Sequence, residues 1–238
     1  MPHHLRTWLL LVALVLIPRL TIAGPITLAT HELYPYGYHD ETNTFTGYAV
    51  ERVSFAAARC GLELRLLVVP WARAQALAKS DSVDGFFAGS LNAERKALYV
   101  ASDVLAPQNW TWYLLQDCPL DPAAPDFKAR ARVGSFIGAN MLEYLEDNGF
   151  NVSGKPKDTP ALFHMLLGGR LDAILANNLV ARKIIEDLGI GMRVRTRTLK
   201  NEPLHALFTH RFIREHPHFL ECFNAALAEY EAVHSRVK

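Results

Sequence analysis

The side chains best suited to chemistry in this sequence lie within residues 70–95, and the chemistry they suit is holding a small anion. Arg73 and Arg95 are forked donors, and a guanidinium meets a carboxylate with two parallel hydrogen bonds. Trp71 supplies a flat apolar wall. Ser90 adds a hydroxyl close to Gly85 and Gly89, where backbone can approach a ligand. The same residues also fit a plainer arrangement, with solvated arginines on a helix and Trp71 in the core. A second candidate anion contact lies at 134–140, where a glycine-bearing turn leads into a helix. The first free amides of that helix, near Ala139 and Asn140, would point at a negative charge with the helix dipole behind them. An ordinary strand-to-helix turn would read the same way.

Other chemistries find little footing. The spacings Gly-x-Ser-x-Gly, His-Glu-x-x-His and the full phosphate loop Gly-x-x-x-x-Gly-Lys-Ser/Thr do not occur, and 134–138 lacks dinucleotide spacing. His205, His210, His216 and His218 stand near Arg211 and Arg214, a pattern that suits surface or capping roles better than a metal site. The three cysteines, Cys60, Cys118 and Cys222, match no zinc spacing. Their number is odd, so at least one is unpaired or pairs between chains; an exported chain would permit disulfides, but the helical setting of Cys60 and Cys222 suits buried, inert thiols better. No cofactor is implied.

The elements that must position these residues alternate. Residues 26–30 read as a strand, 31–46 as an aromatic loop carrying Tyr34, Tyr36 and Tyr38, 47–60 as a helix ended by Gly61, and 62–69 as a strand. A helix from 71 and a buried strand at 83–88 follow. This β–α rhythm with short connections predicts a doubly wound α/β layer. Residues 102–116 break it with a long extended aromatic stretch. The rhythm then restarts: strand 131–136, helix 138–148, a helix capped by Thr159 with Pro160 in its first turn, strand 171–176 and helix 178–188. An extended run at 192–198 places Arg193, Arg195 and Arg197 on one face, before a strand at 204–208 and a last helix at 217–233. Two lobes follow: 24–110, then 111–200, with 201–238 returning to the first. A cleft between lobes is where a small ligand binds.

At the start, His3, His4 and Arg6 precede the apolar run 8–17, and Thr21-Ile22-Ala23 offers small residues for cleavage. Residues 1–23 therefore read as a secretory signal peptide, and the run is short for a membrane span. The chain has 238 residues and a net charge of +1. That balance makes no electrostatic case for nucleic acid.

The ordered motifs resemble the bacterial family 3 extracellular solute-binding proteins, the polar-amino-acid-binding components of ABC importers. They are Ile26–Thr30 leading to Tyr34-Pro35-Tyr36; Thr46-Gly47-Tyr48; Pro70-Trp71-Ala72-Arg73-Ala74; Val83-Asp84-Gly85-Phe86; Glu94-Arg95 followed by Ser102-Asp103; and Gly169-Arg170-Leu171-Asp172-Ala173. The resemblance implies a type II periplasmic-binding-protein fold with two α/β lobes and two hinge strands. It also implies a periplasmic monomer and delivery of a small-molecule ligand to an inner-membrane ABC permease. It assigns the ligand carboxylate to Arg95, helped by amides near Ala139 and Asn140, and places Tyr34, Tyr36 and Trp71 around the ligand. At the position where the family usually has an acid for an α-amino group, this chain has Asn177. Glu32 or Asp84 are candidate replacements, and Arg73 together with Arg95 would favour a ligand with more than one anionic group. Two alternatives share this fold. One is a dehydratase acting on a cyclic carboxylate, with Glu32 as acid or base; the other is a receptor for a separate membrane sensor.

Overall fold

The computed structural model describes residues 24–234, so the expected signal peptide lies outside the described residues. Chain order is β1 (Ile26–Thr30), a short hairpin of β2 (Tyr38–His39) and β3 (Phe45–Thr46), α1 (Tyr48–Arg59), β4 (Leu64–Val68), α2 (Trp71–Lys79), β5 (Gly85–Gly89), α3 (Ala93–Leu98) and β6 (Tyr99–Ala101). Then come β7 (Asn109–Leu115), α4 (Phe127–Arg130), β8 (Val133–Gly134), α5 (Asn140–Asp147), β9 (Val152–Gly154), α6 (Thr159–Leu167), β10 (Ala173–Asn177) and α7 (Asn178–Asp187). The chain ends with β11 (Val194–Asn201), β12 (His205–Thr209), α8 (His210–Glu215) and α9 (Phe219–His234).

Two five-stranded sheets result, ordered β4-β1-β5-β12-β6 and β11-β7-β10-β8-β9. In the first, β4, β1 and β5 are parallel, and β12 runs antiparallel to β5 and β6. In the second, β10, β8 and β9 are parallel, while β7 is antiparallel to β10 and β11. Strand alternation decides which helix covers which face. Leu28, Phe87 and Phe208 meet α1 and α9, whereas their neighbours Ala29, Phe86 and Leu207 meet α2 on the other side. In the second sheet Leu175 and Leu114 share a cluster with α5, and Ile174 and Tyr113 share one with α6 and α7. Two clusters reach across the lobes: Trp71, Phe86 and Leu207 join Trp110, Phe136 and Met141 in one, and Val180 of α7 joins the cluster of α1 and α9 in the other.

Both lobes use the same device where a central strand begins. Asp84 accepts from Thr27 N through its side chain at 2.8 Å, and its own amide donates to Thr27 O at 2.9 Å. Asp172 repeats this with Arg132, at 2.8 Å in each direction. Each carboxylate also holds an arginine at 2.7 Å, Arg211 for Asp84 and Arg132 for Asp172. The Asp-Gly and Asp-Ala pairs of the two motifs are thus strand rivets. Gly85 follows the first because a Cβ there would lie 2.3 Å from Leu207 O.

The chain passes between sheets twice, and the two passages run side by side. Leu105 N donates to Leu204 O, and Leu204 N to Ala106 O, both at 2.8 Å. Glu202 N donates to Gln108 O at 2.9 Å, and Gln108 Nε2 to Glu202 O at 2.8 Å.

Two expectations are corrected. Thr159 is the first helical residue rather than the cap: Asp158 precedes it and accepts from Ala161 N at 2.9 Å. Cys60 and Cys222 are not inert thiols but a disulfide joining the end of α1 to α9, with Cα atoms 5.8 Å apart; Cys118 is the free, half-buried one. α1 and α9 pack as neighbours across 162 residues of sequence, which the pattern of either helix alone does not reveal.

Candidate functional site

The site assembles where the C-terminal ends of β1 and β5 face the turn between β8 and α5. Asn92 caps α3 by accepting from Arg95 N at 2.7 Å, and this orients Arg95 inward. The Arg95 side chain is buried, with 5% of the residue exposed. Its guanidinium donates to Ser90 O and Gln75 Oε1, each at 2.7 Å, and to Gly138 O at 3.4 Å. All three acceptors are neutral, and among the described residues Arg95 forms no ion pair. Burial lowers its pKa to about 10, against the opposing pull of Glu143, Tyr99 and Glu94. The charge persists at neutral pH.

Trp71 stands beside it, the ring centroid 5.2 Å from the Arg95 guanidinium carbon. Trp71 Nε1 donates to Gly138 O at 2.8 Å, and Gln75 Nε2 reaches the same oxygen at 3.3 Å. One carbonyl of the second lobe therefore collects three donors from the first. Gly138 has a φ of 80°, a conformation that favours glycine and turns the chain into α5. Asn140 adds another bridge: its Nδ2 donates to Ser90 O at 2.8 Å and to Ser90 Oγ at 3.0 Å.

Arg95, Trp71, Ser90 and Asn140 border a narrow cavity of about 30 Å³ that also touches His31, Gln108 and Asn177. It shares His31, Leu33, Trp71 and Phe136 with a wider chamber of about 650 Å³, walled further out by Tyr34, Tyr38 and Ile184. His31 is the unusual member. It is nine-tenths buried, both ring nitrogens lack a partner, and its ring centroid lies 4.4 Å from that of Trp71. Burial first, and the Arg95 charge second, lower its pKa to about 3, so the ring is neutral.

The family of bacterial extracellular solute-binding proteins, family 3, matches residues 26–233. The chain belongs to that family. No curated protein matches the sequence. Among solved structures, the holo arginine-binding protein ArgBP of T. maritima is similar at 18% identity and a TM-score of 0.72, covering 87% of this chain and 90% of that one. The GluR0 ligand-binding core of Nostoc punctiforme, in complex with L-glutamate, gives 17% identity and a TM-score of 0.73 over 87% and 93%. A histidine kinase sensor domain with similarity to periplasmic binding proteins gives 17% identity and 0.77 over 90% and 95%. At such identities the likeness shows the type II periplasmic-binding-protein fold and no ligand. The family and its arginine-binding neighbour are binding proteins.

Within this family member the expected residues part company. Arg95, Trp71, Ser90, Ala139, Asn140 and Asn177 come together around the narrow cavity, and Tyr34 borders the wider chamber, 41% exposed. Arg73 does not join them. It is exposed on α2, because two helical residues turn it about 200° from Trp71, away from the inward line of Trp71, Gln75 and Ala78. Tyr36 is a core residue: it is fully buried, its hydroxyl donates to Pro107 O at 2.7 Å, and burial raises its pKa. Of the expected pair of amides, that of Ala139 is engaged within the turn, donating to Phe136 O at 3.2 Å, while Asn140 at the start of α5 lines the cavity and its side chain bonds Ser90 O. Asn177 caps α7, accepting from Leu179 N at 2.8 Å and Val180 N at 3.2 Å, and donates to Gln108 Oε1. Asp84 is committed to its rivet and lines neither cavity, and Glu32 borders only the outer chamber, bonded to His39 at 2.7 Å. His31, Gln75 and Gln108 join the site without being expected from the sequence. Gln75 was within reach, four residues after Trp71 on the same helix face.

Proposed function

We propose that this chain is an exported solute receptor that takes a small, polar, carboxylate-bearing ligand between its lobes, closes on it and presents it to an ABC-type permease. The lobes are residues 24–110 and 111–200 with 201–238 returning to the first, and the paired passages at 106–108 and 202–204 are the hinge. Residues 1–23 are the export signal. One observation carries the reading: a guanidinium buried at the junction of the lobes with neutral acceptors only. A desolvated charge is costly unless an opposite charge meets it, and a ligand carboxylate that replaced the Gly138 carbonyl would supply one. Because Gly138 belongs to the other lobe, a carboxylate held between Arg95 and the α5 turn would bridge the lobes, and this couples ligand binding to lobe closure.

The reading is tested by calorimetric titration of amino acids and other small carboxylates against the wild type, Arg95→Ala and Arg73→Ala. Losing a desolvated charge-assisted pair costs about 2 kcal/mol or more, so Arg95→Ala should weaken binding about 30-fold at least. Arg73→Ala should bind as the wild type does. Unimpaired binding by Arg95→Ala would remove the site from consideration.

A further inference from the structure

The charge balance of the cavity beneath Arg95 narrows the ligand class, an inference that rests on Arg95 being the group that grips the ligand anion. The polar lining is His31, Ser90, Arg95, Gln108, Asn140 and Asn177, and no Asp or Glu is among the lining residues. The acids that reach Arg95 electrostatically stand outside: Glu143 is exposed and accepts from Asn92 Nδ2, and Glu94 is paired with Lys79 at 2.9 Å. The amides facing the cavity are already engaged. Asn177 spends its oxygen on the α7 amides and its nitrogen on Gln108 Oε1, while Gln108 Nε2 holds Glu202 O at 2.8 Å. An ammonium placed here would sit beside a positive charge with no carboxylate to receive it.

His31 presents the opposite case, a buried polar group with unmet needs. Its neutral ring offers one N–H and one lone pair, and both nitrogens lack partners. Those needs match a neutral hydroxyl or carbonyl oxygen close to the anion that Arg95 holds, since both residues border one small cavity. Beyond it the chamber continues between Val69, Phe136, Val180 and Ile184. The charged groups at its rim have partners of their own: Lys183 pairs with Asp187, Lys157 lies 4.0 Å from Asp158, and Glu32, two-thirds exposed, is hydrogen-bonded to His39 at 2.7 Å. The part of a ligand lying between those four side chains meets apolar walls, with the charged groups further out at the rim.

We propose that the ligand is a 2-hydroxy or 2-oxo carboxylate with an apolar side chain rather than an amino acid, and that His31 reads its neutral oxygen. The test is calorimetric titration of the purified protein with matched probes on two skeletons. One set is 3-phenyllactate, phenylalanine and 3-phenylpropionate; the other is 2-hydroxy-4-methylpentanoate, leucine and 4-methylpentanoate. On at least one skeleton the hydroxy acid should bind about 100-fold or more tighter than the amino acid, the scale on which sites reject a charge they cannot pair. In His31→Phe the preference for the hydroxy acid over the unsubstituted acid should fall to near unity. That ratio is read within a single variant, so a weakened fold does not imitate it. If phenylalanine or leucine binds as tightly as its hydroxy acid, and Arg95→Met abolishes that binding, this inference is overturned and the carboxylate receptor stands. If no probe binds, this inference falls and the carboxylate receptor is decided by the wider titration; if binding survives Arg95→Met, both fall. A preference retained in His31→Phe overturns the part given to His31.

Discussion

Replacing Arg95 by Met should make the ligand-free protein more stable while removing its ligand affinity. The guanidinium keeps its charge in a site where burial has brought its pKa from the usual arginine range down to about 10. At neutral pH that difference means the folded state bears about 3 kcal/mol that the unfolded chain escapes. Methionine removes the charge and leaves an apolar stem beside Trp71 and Phe86, the rings now flanking the guanidinium at 5.2 and 5.9 Å. The acceptors it abandons keep other donors. Ser90 O retains Asn140 Nδ2 at 2.8 Å, and Gly138 O retains Trp71 Nε1 at 2.8 Å. Gln75 Oε1 is left without its donor, but Gln75 is only half-buried and can turn to water. Lost contacts offset part of the gain, so the expected stabilisation is about 1–3 kcal/mol, in line with exchanges of buried charge for apolar bulk. For a chain of this size that is a rise of about 2–10 °C in melting temperature. Urea unfolding and calorimetry at pH 7 without added ligand would measure it. A variant less stable than the wild type by more than about 1 kcal/mol would mean that the guanidinium holds the fold together, and the case for a charge waiting on a ligand would fail.

Two further outcomes follow from buried groups elsewhere. His31 stays neutral in the folded protein down to a pKa of about 3, whereas the unfolded chain protonates it near 6.5. Stability contributed by this group is therefore complete above pH 6.5 and declines by about 1.4 kcal/mol per unit as pH falls, or about 2 kcal/mol by pH 5. His31→Phe should flatten that slope between pH 6.5 and 5, and identical slopes in the two proteins would contradict the burial of the ring. The Cys60–Cys222 disulfide spans 162 residues, and restricting so long a loop in the unfolded chain is worth about 5 kcal/mol at most in the entropic account. The Cys60→Ser, Cys222→Ser double variant should unfold at a clearly lower urea concentration, while an unchanged midpoint would show that the bridge adds nothing to stability.

Much of the architecture was legible because the strands that build it are apolar runs bounded by turn residues, as at 26–30 and 85–89, and the helices between them carry readable ends such as Gly61 and Pro160. What escaped was short. Tyr99–Ala101 has three residues, too few to show a period, and His210–Glu215 was read as a cluster of histidines and arginines rather than a helix. In the site, residue type pointed equally to Arg73 and Arg95, and only position on the helix separates them. The phase of α2 was available in the sequence, since Trp71, Ala74 and Ala78 mark its buried line and Arg73 lies off it. Tyr36 misled for a similar reason: an aromatic in a loop looks available until the fold shows its hydroxyl tied to Pro107. His31 carried no signal of its own, because its burial and its unpartnered nitrogens exist only once α2 and the Phe136 turn are packed over the end of β1.

The contacts that close the cleft explain why a ligand can govern it. They are hydrogen bonds between a lone cation, amides, an indole and two carbonyls, and each contributes about 1 kcal/mol net. Apolar surface from Trp71 and Phe136 adds to them within one continuous cluster. A carboxylate entering this junction competes with the Gly138 carbonyl for Arg95 and offers a charge in place of a dipole, which makes a bond roughly twice as strong. That bond lies on the first lobe, so closure is biased only by what the anion also gains from the second lobe at the α5 turn; whatever it gains equally in the open and closed arrangements moves no population. A margin of about 1.4 kcal/mol shifts the balance tenfold. The Gly138 carbonyl thus acts as a resident competitor that keeps the margin small: the lobes meet readily without ligand, yet the correct anion still tips them. Selectivity then depends on what else the anion brings into the cavity, where one unmatched positive charge and one unsatisfied neutral ring set the terms.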